Sequence, residues 1–392
     1  MGLAFLRPVR GVARITMPEG RLPREPIIMK KLSRRKALRF FGAAAAGTGT
    51  LFARGGIAAP VVGKGTVLTV STWGGVTQDA IAAHAGPEFT RATGATLAFD
   101  IGAQGPRYSK LLAQRASPAS DVFFGSDESL ISGLKAGILT PARRKSLSNL
   151  GDVEKWALTV PSPDGDDTIG GVPYGLIAYV VGYNPDKVKA PITSWNDLWR
   201  PEFAGKIFFA SPFHSMMPEL VLLAAELAGG SMNNVDPGFK KLAELRPAKL
   251  GFTWTDWAAL YQSGDIIAAT EFDCYLDVMK NQNYPIQYVV PKEKGLACID
   301  GVGIVKGRPN LELAEFFLDT ILDAKVQAGL SQDLYQGPIN AKTDLPAEIK
   351  AKCNCGANIA DLRFFDPAPF AALRPHWSER MNTEVLPNWS AR

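Results

Sequence analysis

A chain of 392 residues, 46% hydrophobic and 21% charged, has room for two ordinary domains and apolar surface for a core, which excludes a disordered or fibrous protein. Its net charge of +5 is unevenly placed: 12 of the 43 Lys and Arg but only 2 of the 38 Asp and Glu precede Pro60, leaving 31 basic and 36 acidic residues beyond it. The body is acidic, and that excludes a chain built to grip nucleic acid.

The basic excess surrounds Ser33-Arg34-Arg35-Lys36-Ala37-Leu38, which an Ala- and Gly-rich apolar run follows from Phe40 to Ala53, with small residues near Gly56, Ile57 and Ala58. Charged region, short apolar region and small residues come in the order of a cleavable export signal, so residues 1–60 are read as a leader. The run is too short and too broken by glycine to span a bilayer. Its paired arginines resemble the twin-arginine consensus, which implies folding in the cytoplasm and passage through the twin-arginine machinery; a chance pair in an ordinary secretory signal is the alternative. The Arg- and Pro-rich first 28 residues fit no part of a signal, and Met29-Lys30-Lys31 is a plausible true start, with a long n-region as the alternative. No second apolar stretch of spanning length follows, which predicts a soluble mature protein in the periplasm.

Beyond Gly65, short apolar runs alternate with longer amphipathic ones, the pattern of α/β layers. Val67 to Thr72 predicts a first strand, Gln78 to Thr93 a helix stopped by Gly94, and Ala95 to Ile101 the next strand. Lys110 to Arg115 reads as helical, Asp121 to Phe124 as a buried strand, and Ser129 to Ala136 as a helix that Ser126 or Asp127 can cap. Loops at the carboxyl ends of such strands are where open α/β sheets bind ligands. Leu176 to Tyr183 is extended and apolar, and Ser194 caps a short helix to Trp199. A strand from Lys206 to Ala210 leads through Ser211-Pro212-Phe213-His214-Ser215 to an apolar helix with Pro218 in its first turn. Ile266 to Thr270, Pro285 to Val290 and Gly301 to Val305 predict three more strands, and Leu311 to Leu322 a helix.

Four cysteines are few for a disulfide scaffold of this size. Cys353 and Cys355 are too close for an easy mutual bridge, while Cys274 and Cys298 either pair or serve as small buried apolar residues.

Ser71-Thr72-Trp73-Gly74-Gly75, Pro173-Tyr174-Gly175 and Gly182-Tyr183-Asn184 together resemble the bacterial extracellular solute-binding proteins of the spermidine and putrescine type. The likeness extends to Thr193 to Trp199, Pro201 to Lys206 and Pro285 to Glu293, in order and spacing, from about Thr66 to about Leu345. It implies an α/β, two-lobed type II periplasmic-binding-protein fold with a hinge and an interlobe ligand cleft, crossed near Leu176 to Val180 and again near Thr270 to Phe272. The expected division is residues 66–176 and 272–335 in the first lobe, 177–271 in the second, and 336–392 as a helical segment packing on both. Such a receptor, expected to be monomeric, captures a small solute and delivers it to the permease subunits of an ABC importer in the inner membrane, with no cofactor or metal of its own.

An amine solute needs carboxylates for its ammonium and aromatic faces for its methylenes. Trp73 lies where relatives carry ligand contacts, though it can equally pack over its own loop. Glu271 and Asp273 flank the second crossing, where polyamine-binding relatives place an aromatic and an acid. Ser126 and Asp127 face the expected cleft or only cap a helix. Trp254 is a possible aromatic wall, Tyr174 is read as structural at the hinge, and Asp300 supports the hinge or touches the solute. In the second lobe polyamine receptors carry acids, whereas Ser211 and His214 here stand in a stretch without a carboxylate. Hydroxyls, an imidazole and backbone N–H groups at a helix start suit an anion, with Arg107 as a further positive contact. The sequence therefore favours a solute with an amine at one end and an acidic or polar group at the other: an amino acid derivative, an opine-like compound or an aminophosphonate. A linear polyamine is the alternative.

An exported enzyme is the competing class, but the chain carries no Gly-x-Gly-x-x-Gly, Gly-x-Ser-x-Gly or His-Glu-x-x-His signature and no phosphate loop. Its three histidines, His84, His214 and His376, are far apart, and Cys353-Asn354-Cys355 lacks a near third ligand. Ferric-ion receptors of the family use adjacent tyrosines, and there is no Tyr-Tyr pair.

Overall fold

The computed structural model describes residues 63–212, 214–251 and 254–390, without the side chains of 251–257 and 390. The expected leader lies outside the described residues. Nine strands carry the fold: β1 (Val67–Thr72), β2 (Thr96–Ile101), β3 (Val122–Ser126), β4 (Val172–Tyr183), β5 (Ile207–Ala210), β6 (Lys249–Gly251), β7 (Ala268–Phe272), β8 (Gln287–Val289) and β9 (Gly295–Val305). They run in the order β2-β1-β3-β9-β4-β7-β5-β6, with β8 also on β4. β1 pairs in parallel with β2 and β3, and β5 in parallel with β7 and β6. The long strands β4 and β9 lie antiparallel between these two groups and join them.

Burial explains the strand sequences. Every residue of β3, β5 and β7 is buried, so these read as continuous apolar runs rather than as an alternation. The segment Val76 to Thr93 is helical, but its middle turn, Ile81–Ala85, is π-helical, and Gly94 ends it in the left-handed region at φ 73°. Only glycine takes that position without strain.

Eight further helices matter here: α1 (Gln104–Ala113), α2 (Asp127–Lys135), α3 (Met217–Leu227), α4 (Asp236–Glu244), α5 (Asp273–Asn281), α6 (Leu311–Leu322), α7 (Ala324–Leu334) and α8 (Pro367–Arg380). The sequence placed α1 several residues late, because Gln104 to Tyr108 lacks the apolar spacing that marks a helix, and it missed the first half of β9.

Two large cores flank the joining strands. One gathers Leu68, Val70, Phe89, Phe124 and Tyr174 with Phe317, Leu318 and Leu330 from α6 and α7. The other gathers Tyr179, Trp195, Phe209, Met217, Val221 and Phe239 with Phe370, Trp377, Met381 and Val385. Residues 273–299, expected with the first lobe, instead contribute Cys274, Leu276, Met279, Ile286 and Cys298 to the second core and to an adjoining cluster with Phe208 and Ala269. The reason is local: α5 packs directly on β4 and β7, and β8 pairs with β4.

The C-terminal segment is tied to the rest at several points. Leu362 and Arg363 pair with Gly295 and Leu296 of β9, the Trp389 indole donates to the Leu242 carbonyl at 2.7 Å, and Asn354 donates to Asp273 at 2.7 Å. All four cysteines are free thiols, with Cys274, Cys298 and Cys353 buried. No helix among the described residues is long and apolar enough to cross a membrane.

Candidate functional site

The carboxyl ends of β1, β2 and β3 meet around Arg107 on α1. Its guanidinium donates to the carbonyls of Gly102 (2.8 Å), Ser71 (3.1 Å) and Phe124 (2.9 Å), and it lies 5.0 Å from the Trp73 ring centroid and 4.9 Å from that of Phe123. Arg107 is 3% exposed and serves as a strut among these carbonyls. Burial pulls its pKa down to about 9, against the opposing fields of Asp100 and Asp300. One terminal nitrogen, Nη2, is buried with no hydrogen-bond partner.

Ser126 ends β3 and caps α2, its hydroxyl accepting from Ser129 N at 3.4 Å and from the Gln104 amide at 3.2 Å. Asp127 accepts from Glu128 N at 2.7 Å. Asp300 lies on β9, in register with Ser126 on one side and Gly175 on the other, where a bulge shifts the ladder between Asp300 and Gly301. Asp300 lines a small recess with Trp73 and Tyr174, and both acids keep some accessible surface. Burial, with the charges of Glu128 and Asp366 adding to it, pushes Asp127 up to about 7. Burial and the charge of Asp127 push Asp300 up to about 7 as well, although Arg107 opposes the shift.

Within reach of the charge of Asp127 stands a carboxylate the sequence reading overlooked. Glu219, in the first turn of α3, is 9% exposed, its Oε2 has no partner, and burial pushes it up to about 8 against the pull of Arg374. Arg374, from α8, pairs with Glu128 and donates to the carbonyls of His214 (3.1 Å) and Ser215. A lone acid in the otherwise apolar stretch Met217 to Leu223 was the available signal for Glu219. Nothing in the sequence pointed to Arg374.

The stretch expected to accept an anion is occupied internally. His214 Nδ1 accepts from Met216 N at 3.2 Å, Met217 N donates to the His214 carbonyl, and the ring stacks near Phe272 with centroids 5.7 Å apart. Burial, with Arg374 nearby, lowers the imidazole to about 4 and keeps it neutral. Ser211 is buried at the end of β5, its carbonyl accepting from His214 N.

Glu271 and Asp273 stand two residues apart where β7 becomes α5, both buried. Glu271 accepts from Phe272 N at 2.8 Å. Asp273 is held on both oxygens: Oδ1 accepts from Ala178 N (3.0 Å) and Cys274 N (2.8 Å), and Oδ2 from Asn354. Burial raises it to about 7 even so. Trp254 begins a helix, Trp254–Ser263, but its side chain lies outside the described residues. Among the described residues Trp73 and Asp300 line one small recess, Asp300 is in register with Ser126, and the charge of Asp127 reaches both Asp300 and Glu219. The structure sets Asp273 into the frame.

A family model described as bacterial extracellular solute-binding protein matches residues 84–356. The spermidine/putrescine-binding periplasmic protein 1 of Haemophilus influenzae is 27% identical over 271 residues, 67% of this chain and 74% of that one. A putative 2-aminoethylphosphonate-binding periplasmic protein of Salmonella typhimurium is 24% identical over 261 residues, 64% of this chain and 72% of its own. In fold, the chain is similar to the periplasmic binding protein AfuA from Actinobacillus pleuropneumoniae, with a TM-score of 0.69 at 19% identity over 81% of this chain and 98% of that one.

Proposed function

Because the chain belongs to the bacterial extracellular solute-binding protein family, and so serves in the periplasm as the non-catalytic receptor that hands a small solute to an ABC permease, we propose that its solute is a small amine. The supporting observation is a group of three neighbouring acids in a mostly buried setting. Asp127, Asp300 and Glu219 are all driven toward protonation at neutral pH, and a bound ammonium supplies the cation that would keep them ionised. The relatives that carry polyamine and 2-aminoethylphosphonate in their names have an amine in common.

The other end of the solute is read as acidic or polar, because Arg107 Nη2 lacks a partner beside Trp73. An amino acid derivative, an opine-like compound or an aminophosphonate fits that pair of charges. The polyamine reading has its own support in Glu219, the second-side acid that the Ser211 to Ser215 stretch lacks. In this reading Trp73, Ser126, Asp127, Asp300, Glu271 and, at its rim, Ser211, His214 and Trp254 bound the cleft, while Asp273 braces the hinge through Ala178 and Asn354. The first lobe ends near Leu176, the second spans residues 177–299, and the return crossing falls at the Asp300 bulge. The receptor is taken to work as a monomer and to reach the periplasm through the twin-arginine machinery.

Thermal unfolding of the mature protein against putrescine, spermidine, 4-aminobutyrate, 2-aminoethylphosphonate and opines tests the amine. A saturating solute that binds only the folded form raises the midpoint by roughly 1–2 °C per kcal/mol for a chain of this size. We expect one amine-bearing compound to stand out, and a shift confined to amine-free sugars or acids contradicts the reading.

A further inference from the structure

The helix α8 has two unlike flanks. One is anchored: Phe370 and Trp377, 0% and 2% exposed, sit in the core of Tyr179, Phe209 and Phe239, with their rings 6.1 Å apart. The segment before the helix is tied to the same side, where Arg363 pairs with Glu226 of α3. The other flank is thin: Ala368 and Ala371 rest on the cluster of Phe123, Leu130 and Ile131, from β3 and α2, and bring only methyl groups to it. Arg374 follows Phe370 by four residues and Ala371 by three, which puts it where the two flanks meet. Its guanidinium is divided in the same way. Nη1 and Nη2 donate to the carbonyls of His214 and Ser215, ahead of α3, while Nε donates to Glu128 on α2. Pro375 lies inside the helix, where proline removes a backbone bond and permits a bend. Phe370 before it and Trp377 after it share one core, so α8 moves as a single body with that core.

We propose that Arg374 is an interlobe latch: α8 travels with the second lobe, and the Nε bond to Glu128, with the two alanine contacts, holds the first lobe to it while the cleft is shut. The methyl contacts part easily, whereas a charge-assisted hydrogen bond is about twice as strong as a neutral one. The carbonyls of His214 and Ser215 hold the guanidinium in place with or without Glu128, so the latch re-forms without reordering a long side chain. Release of the solute has to wait for the Glu128 bond to break, and the closed share of the protein sets the apparent affinity. The inference rests on the two-lobed receptor fold and is independent of which solute is bound.

The test compares mature wild-type protein with Glu128→Gln and Ala371→Leu. The first removes the charge that the latch grips, and the second wedges the half-buried facet without altering any charge. Small-angle X-ray scattering reads the shape without solute and with saturating putrescine, 4-aminobutyrate or 2-aminoethylphosphonate, and stopped-flow mixing reads the dissociation of whichever of them binds. Both variants are expected to show a larger radius of gyration than wild type in at least one of those conditions, and solute loss at least about tenfold faster. A bridge that only supports the fold would lower the unfolding midpoint and leave shape and dissociation as in wild type, and that result overturns the latch. Faster dissociation in Glu128→Gln with the shape unchanged in both variants also overturns it, as an effect of charge on Asp127. Should Glu128→Gln fail to fold, Ala371→Leu decides by the same readings. If none of the three amines binds, the amine reading falls, while scattering of the solute-free variants still decides the latch.

Discussion

Affinity for the amine solute is expected to drop about tenfold or more between pH 8 and pH 6, while the solute-free protein becomes more stable over the first part of the same acidification. Without solute, Asp127 and Asp300 titrate near 7 and Glu219 near 8, all pushed up by burial. An ammonium binds the ionised carboxylates, so below those values each capture must first expel protons. Linkage limits the effect to about tenfold per pH unit for each proton released. Stability runs the other way. Because the folded carboxyls hold their protons to a higher pH than the unfolded chain does, their contribution is complete below the ordinary carboxylate range and is lost as pH rises through 7 to 8. His214 opposes this below about 6.5, since its folded value near 4 lies under the ordinary imidazole value and protons then favour the unfolded chain. Calorimetry from pH 6 to 8.5 in two buffers of different ionisation enthalpy reads affinity and proton release together. Affinity that is flat, or that improves on acidification, contradicts the account of the recess.

Replacing Arg374 by Met is expected to cost about 3–5 kcal/mol of stability at pH 7.5, the range for breaking a buried ion pair from one side. Glu128, 4% exposed, then has no counter-charge, and the carbonyls of His214 and Ser215 lose their donor. Glu219 loses the one cation that holds its proton affinity down. Arg374→Lys should restore part of the deficit. Because α8 reaches from Glu128 on α2 to the loop before α3, the same arginine ties the two proposed lobes together. Denaturant unfolding measures the loss, and a change below about 1 kcal/mol at pH 7.5 would mean that the pairing contributes little.

Much of this architecture was legible because it is local. Val67 to Thr72, Asp121 to Phe124 and Lys206 to Ala210 read as strands from their own apolar content, and Gly94 and Ser194 mark helix boundaries where the structure has them. The loop at Ser126 and Asp127 was legible for the same reason, since a strand running into a capped helix is a short-range pattern. What stayed hidden depends on contacts between distant segments. The bulge at Asp300 arises from pairing with β3 and β4, more than a hundred residues upstream. Arg374 meets Glu128 across a separation of 246 residues, and Asn354 meets Asp273 across 81. The strut role of Arg107 was hidden because its partners are backbone carbonyls, which leave no trace in composition. The stretch Ser211 to Ser215 misled in the opposite sense: its donors and acceptors, read singly, suit an anion, but the fold turns them on Met216, Met217 and Arg374.

The most direct measurement is a calorimetric comparison, at pH 8, of the best amine in the thermal panel with the same compound lacking its amino group. The account predicts that removing the amine weakens binding about a hundredfold or more, because it leaves Asp300 and Asp127 buried without a cation. An amine-free analogue that binds as tightly would contradict it and show that the acids of the recess are not there for the solute.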